Sequence, residues 1–574
     1  MSCPPLIVAN EFITTLLNRN DRRELSRLNR HLTNTVLDSV CPSIDPGPFN
    51  FLSPISLKQT KDLLSKQSSD SYEQKDMCQN GKDPINPANT MLYGNTICQN
   101  LLVLNAAGLE NCEIKLLEKN HNLVWPWSLQ YHADRLGNNK RLQYFPLVVA
   151  FPESVREVSF WVDFAKKYNI PPCVRSGGHS YEGFSCSNPL VIDTTNLKLK
   201  SGNQYDIEKD YVDVSTGVRL GPLYNAVDKE GFIIAGGICP SVCVGGLVAG
   251  GGVGYFLRQF GYACDNLLEA DIVLASGKKI TCTADNKYSD LFRAIKGAGG
   301  GNFGIITRYR LRTHKVRKVI NFSYSFAQSD AISVLDALQR VGITAPNNLS
   351  GIVGNMVAGM DGITVNGVYN PISHKHPIAE FEVFIQKHFF SLLSDVEPTD
   401  SSVEYQSFVE VDTEVGFEAP PLPFYKTRST YSFNLLSRSD LKKIINSIAI
   451  APDGNGTMFL ALQFLVYGGF VNRVDSKSSV MVAREGTKGW FQMALYYTDP
   501  NDINTVFNYV NGVYDVVSSL TSTYADANVP DLELSKPLVS YYGADNVSFL
   551  KEVKTKYDPN NLFTFPQSIP VNIK

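Results

Sequence analysis

The sequence predicts an α+β fold, and three observations carry that expectation. Short apolar runs of strand length alternate irregularly with amphipathic helical stretches, several of the strands come in neighbouring pairs, and glycine-rich loops interrupt the pattern. A doubly wound parallel sheet would alternate more regularly. The 574 residues, 43% hydrophobic and 19% charged, can bury a large core. A net charge of −3 argues against nucleic acid as an electrostatic partner, and no apolar run approaches a membrane span.

Taken in order, residues 21–24 have the spacing of a helix-capping box. Leu25, Leu28, Leu32 and Val36 follow at helical spacing, with Arg22, Arg23, Arg27 and Arg30 as a basic face. Residues 43–100, rich in Pro, Ser, Asn, Lys and Gln, read as an irregular linker. Residues 1–120 are thus expected as a helical and irregular N-terminal extension, available to a protein partner. The first 17 residues lack a basic start and are interrupted by Asn10 and Glu11, so no signal peptide and no usual secretory route are expected; the compartment stays open. Beyond the extension, residues 145–152 read as a buried strand and 154–168 as a helix capped by Ser154. Residues 170–174, 190–193 and 211–214 read as strands, and 220–229 as a helix.

The chemistry concentrates in residues 174–254. Residues 174–183 read VRSGGHSYEG, and residues 236–254 carry Cys239 inside a second glycine-rich run. Gly177 and Gly178 can take positive φ and let backbone N–H groups close around a diphosphate, with Arg175 and Ser176 as adjacent donors. Two nucleophiles, His179 and Cys239, therefore flank two anion-cradling loops. The 11 cysteines are odd in number and show no compact spacing, so neither a disulfide framework nor a metal site is expected. Residues 299–304 satisfy G-x-G-x-x-G, but a helix precedes them and a strand follows. That is the reverse of a nicotinamide-binding turn.

Both segments closely resemble the berberine-bridge-enzyme-like branch of the vanillyl-alcohol-oxidase superfamily of flavoproteins, and residues 290–304 and 541–570 match further motifs of that branch in register. The resemblance spans roughly residues 122–574. It implies a two-part FAD-binding domain of the PCMH type at 121–317, an antiparallel-sheet substrate domain at 318–517, and a C-terminal segment at 518–574 that returns to the FAD domain. It also implies a bicovalent FAD, held by His179 at the flavin 8α carbon and by Cys239 at C6. Further cofactor contacts are implied at Arg175, Ser176, Gly177, Gly178, Ser180, Gly183, Gly245, Gly246, Gly250, Gly254, Gly304 and Ile305. Val242 stands where small side chains in the family admit oxygen, which implies an oxidase that forms hydrogen peroxide.

The substrate side departs from the family. Leu247 replaces a His, and Val253 stands where an aromatic residue is common. The family's Y-x-N-Y-x-D segment corresponds to residues 524–531, and its second Tyr, which serves as or supports the base, falls on Ala527 or on Val529. Tyr524 is the phenol left in the segment. Gln492 aligns with a substrate-facing Gln, Glu or Asp, and strand alternation puts Trp490 on the same face as an aromatic wall. The implied activity is removal of a hydride from an alcohol carbon of a carbohydrate or secondary metabolite, with O2 as acceptor. The alternative is a catalytically altered flavoprotein with a structural or binding role.

Overall fold

In the computed structural model, residues 104, 107–359, 362–415 and 422–572 are described. The helix expected from residue 25 onward and the linker at 43–100 lie outside them. Three sheets organise the chain, and their order follows the sequence.

The first sheet has the order β1-β2-β4-β3, with β1 at Leu123–Val124, β2 at Val148–Ala150, β3 at Pro172–Arg175 and β4 at Leu190–Asp193. β2, β4 and β3 run parallel, and β1 is antiparallel to β2. The helix Val155–Lys167 crosses between β2 and β3. Ser154 caps it by accepting the Glu157 backbone N–H. Its apolar stripe, with Val158, Trp161 and Val162, packs on β2 and β4 in a core that also takes in Leu104, Leu109, Ile114 and Leu117. Residues N-terminal to position 121 are thus part of this core.

The second sheet is antiparallel: β5 Tyr205–Ile207, β6 Tyr211–Ser215, β7 Ile233–Ile234, β8 Leu267–Leu274, β9 Lys279–Cys282 and β10 Gly304–His314, in the order β5-β6-β10-β8-β9 with β7 also on β10. The helix Ser289–Ala294 precedes the glycine run and β10 follows it, an order that a dinucleotide turn does not have.

The third sheet has seven antiparallel strands: β11 Val319–Ala327, β12 Leu349–Val357, β13 Gly362–Tyr369, β14 Asp400–Gln406, β15 Phe424–Ser432, β16 Met458–Val466 and β17 Gly489–Tyr497. Its order is β14-β11-β13-β12-β16-β17-β15. One face is apolar and packs on the helices Ala331–Thr344, Pro377–His388, Arg438–Ser447 and Ile503–Leu520. β17 is buried on both faces. Phe491, Met493, Leu495 and Tyr497 enter the helix-covered core, and the alternate residues point the other way.

Arg258, fully buried, clasps the second sheet's side of the molecule to the third. It donates to the carbonyls of Gly342, Ala345, Leu349 and Tyr467. The C-terminal helix Pro537–Tyr557 places Tyr541, Tyr542, Leu550 and Val553 in the core of the second sheet. The fold is α+β, and no helix among the described residues is long and apolar enough to cross a membrane.

Candidate active site

A cavity of about 480 Å³ opens where the loops after β3 and β7 meet the inner face of β15–β17 and residues 526–530. Glycine makes this meeting possible. Gly178 sits at φ +72° as the chain turns away from β3. A Cβ on Gly245 would lie 2.4 Å from Ser176 Oγ, so the two loops approach at bare backbone. Gly246 has open space where a side chain would stand, and the position of a Cβ on Gly300 lies 3.9 Å from Gly246 Cα. The result is a slot with peptide groups on both walls, suited to a flat ring and an anionic diphosphate.

His179, Cys239, Ser176, Gly177, Gly178, Ser180, Val242, Gly245, Gly246, Trp490 and Gln492 all line this cavity. Burial, with the Arg219 guanidinium adding to it, lowers the His179 imidazole to about 4. The ring is therefore neutral at physiological pH and keeps a lone pair for bonding. Near the Cys239 thiol lie the phenols of Tyr181, Tyr425 and Tyr496. Burial above all, and then neighbours that include this thiol, hold all three well above the ordinary tyrosine range. Gln492 donates through Nε2 to the Tyr181 hydroxyl at 3.3 Å. Trp490, its neighbour on the same face of β17, is 8% exposed, and its indole N–H finds no acceptor among the described residues. An acceptor from a bound ligand would complete it.

Seven expected site residues lie elsewhere. Arg175 does not reach the cavity: its guanidinium pairs with Asp193, which faces it across β3 and β4, and also donates to the Asp134 carbonyl. Gly183 packs under Tyr144 at φ +67°. Gly250 meets the Asn528 side chain, and Gly254 meets the Gly236 carbonyl, where a Cβ would come within 1.6 Å. Gly304 and Ile305 belong to the start of β10, with Ile305 in the core; Gly299, Gly300 and Gly301 are the residues of that run that reach the cavity. Tyr524 packs edge-on against Phe433 with ring centroids 5.8 Å apart and does not line the cavity. Gly254→Ala should destabilise the fold by at least about 1–3 kcal/mol, because the clash is with backbone. Urea unfolding measures this.

The sequence motifs did not single out Asp526, Tyr181 or Asn528, all of which line the cavity, and in the run 299–304 they pointed to Gly304 where Gly299–Gly301 are the lining residues. Asp526 carried a signal, since it is the one acidic residue among 524–529, two positions after Tyr524. Leu247, Val253, Ala527 and Val529 also line the wall, so the family's missing polar and aromatic groups leave apolar surface in their place.

A buried charge network holds this wall. Glu182, next to Tyr181, accepts from Arg141 at 2.6 Å and from Lys426 at 2.8 Å. Asp531, at the end of the 526–530 stretch, accepts from Lys426 at 2.7 Å and from Arg428 at 2.7 Å. Four separate stretches of the chain, at 141, 182, 426–428 and 531, are fixed together by these pairs.

A family model described as FAD binding domain matches residues 146–283, and one described as berberine and berberine-like matches residues 527–570. The solved structure of Physcomitrella patens BBE-like 1 is 28% identical, covers 80% of this chain and 99% of its own, and superposes with a TM-score of 0.70. The chain carries the FAD-binding and berberine-like domains of the berberine-bridge-enzyme-like FAD-linked oxidoreductases. Among its relatives, an FAD-linked oxidoreductase of Bacillus subtilis is 28% identical over 447 residues, 77% of this chain and 94% of its own. Chitooligosaccharide oxidase of Gibberella zeae is 27% identical over 468 residues, covering 77% of this chain and 91% of its own. The cavity walls of this berberine-bridge-like protein fit FAD: bare-glycine backbone on two sides, a neutral buried imidazole and a thiol in one space.

Proposed function

We propose that this protein holds FAD covalently through both His179 and Cys239 and oxidises an alcohol carbon of a small molecule, passing the electrons to O2. The observation that carries the reading is the convergence of these two nucleophiles on one glycine-walled cavity that also presents Trp490 and Gln492. When bound, FAD supplies the two-electron acceptor. The protein's part is to bind and orient. The neutral His179 ring and the Cys239 thiol anchor the cofactor, and the glycine loops receive its diphosphate through backbone N–H groups. Trp490 offers an apolar ring face and an unpaired N–H to a hydroxylated ring such as a sugar. Gln492, steadied by Tyr181, places an amide beside the same ligand. Val242, half-buried in the wall, is the small side chain past which oxygen would reach the cofactor in this reading. Carbohydrate is the favoured substrate class, in keeping with the name of the chitooligosaccharide oxidase relative.

A second reading is a flavoprotein that has lost turnover and kept a binding role. It is favoured by Ala527 and Val529, which line the cavity at both positions open to the family's second tyrosine. One experiment separates the two. Under anaerobic conditions, glucose, cellobiose, N,N′-diacetylchitobiose and benzyl alcohol are each mixed with the purified protein, and flavin absorbance is followed. Bleaching by any donor, and peroxide on admitting air, is expected; no bleaching by any of them favours the inert reading. Acid-precipitated protein should also stay yellow, and a colourless pellet counts against covalent attachment. The N-terminal extension is proposed as a partner-binding module, to be checked by whether deleting residues 1–103 changes assembly in cell extract.

A further inference from the structure

We propose that the Asp526 carboxylate accepts the substrate hydroxyl proton, the task that a tyrosine serves or supports elsewhere in the family. This rests on the alcohol-oxidising reading and extends it by naming the base.

The cavity wall leaves one group able to do this. His179 and Cys239 are taken by the cofactor in that reading. Tyr181, Tyr425, Tyr496, Tyr541 and Tyr542 line the cavity, and burial holds each phenol far above neutrality. Such groups donate hydrogen bonds but do not take up a proton. Burial likewise keeps the Cys173 thiol protonated and raises Cys243 to about 12. Among the described residues that line the cavity, Asp526 is the one carboxylic acid.

Its anchoring puts it beside the substrate-facing strand. The Asp526 backbone N–H donates to Ser429 Oγ at 3.1 Å, and Ser429 is the cross-strand partner of Gln492. Oδ1 accepts the Asn528 N–H at 2.8 Å. The Asn528 amide in turn donates to the Leu247 carbonyl at 3.0 Å, so the turn rests on the glycine-rich stretch that follows Cys239. The carboxyl therefore sits between the Gln492 wall and the loop carrying the thiol anchor. The groups around it are neutral. The phenols of Tyr431 and Tyr181 lie near it, and Tyr262 and Tyr467 stand behind Tyr431. Arg484, stacked over Tyr262, is committed to Asp265. Burial raises the Asp526 carboxyl to about 6, against the Asn528 N–H and the nearby Tyr431 hydroxyl, which lower it. It is thus ionised at neutral pH yet basic enough to take a proton.

The step balances. The substrate O–H bond breaks and its proton joins an Asp526 oxygen. The neighbouring C–H bond breaks with its electron pair, the hydride passing to the bound FAD, and a C=O bond forms. Asp526 releases the proton to solvent before the next turnover. Since the base must be ionised, the rate should fall as pH drops through about 6.

The test compares the wild type with Asp526→Asn and Asp526→Glu, each with flavin attached. With the donor that bleaches the wild type fastest, D526N should bleach at least about 100-fold more slowly, and D526E should recover part of that loss. With no donor present, wild-type flavin absorbance should shift in one step near pH 6 as Asp526 ionises beside the ring, and D526N should lack that step. Unslowed bleaching in D526N, or a step that persists in it, overturns the proposal. If D526N fails to fold, D526E decides in its place: unslowed bleaching overturns the proposal, and slowed bleaching with the step retained supports it. A wild type that no donor reduces overturns the alcohol-oxidation reading instead, while the absorbance step still decides where Asp526 sits.

Discussion

Lys426→Met should lower stability by about 3–5 kcal/mol at neutral pH, because it strands two buried carboxylates without their shared cation. Lys426, Glu182 and Asp531 side chains are only 1–2% exposed, so water cannot compensate. Burial alone would lower the lysine ammonium, but Glu182 and Asp531 hold it above its ordinary value. A folded-state value above the unfolded one means that this contribution is complete at neutral pH and is lost only as pH rises through the folded value. In the variant Arg141 and Arg428 still hold Glu182 and Asp531, which places the loss toward the lower end of the range. Urea unfolding at neutral pH measures it, and an unchanged midpoint would mean that the two arginines suffice.

The two proposed anchors should behave as independent tethers. His179→Ala and Cys239→Ala alone should each give a yellow pellet after acid precipitation, since the remaining bond suffices to retain flavin. The double variant should release all of it to the supernatant. The contrast runs from complete retention to none, measurable by absorbance. If either single variant releases its flavin, only one covalent link exists, and the bicovalent assignment fails while FAD binding stands.

The division between what could be read along the chain and what could not follows the range of the interactions. That Gly177, Gly178, His179 and Cys239 line one cavity was legible because each sits in a loop whose shape is set within a few residues. The helix at 155–167 was legible for the same reason, from Ser154 and its apolar stripe. Arg175 was misplaced because its partner Asp193 arrives on the next parallel strand, and nothing local announces that pairing. Gly250 and Gly254 read as cofactor glycines, yet they are small to admit Asn528 and the Gly236 carbonyl. Tyr524 suggested a base as the phenol left in the segment that matches the family's tyrosine motif. Its neighbour Asp526 is the one that β15 draws into the cavity, through a hydrogen bond to a serine 97 positions earlier.

β17 has a two-sided character with a mechanical outcome. Phe491 and Met493 are wedged among the helices on one side, while Trp490 and Gln492 face the cavity on the other. Met493 follows Gln492 directly on β17, so a space left by trimming Met493 is relieved in part by small backbone shifts that Trp490 and Gln492 share. Misplacement of a positioning group by 1 Å can cost about 100-fold in rate. Ligand preference can therefore drift through substitutions that never touch the ligand, made in the oily layer beneath the strand.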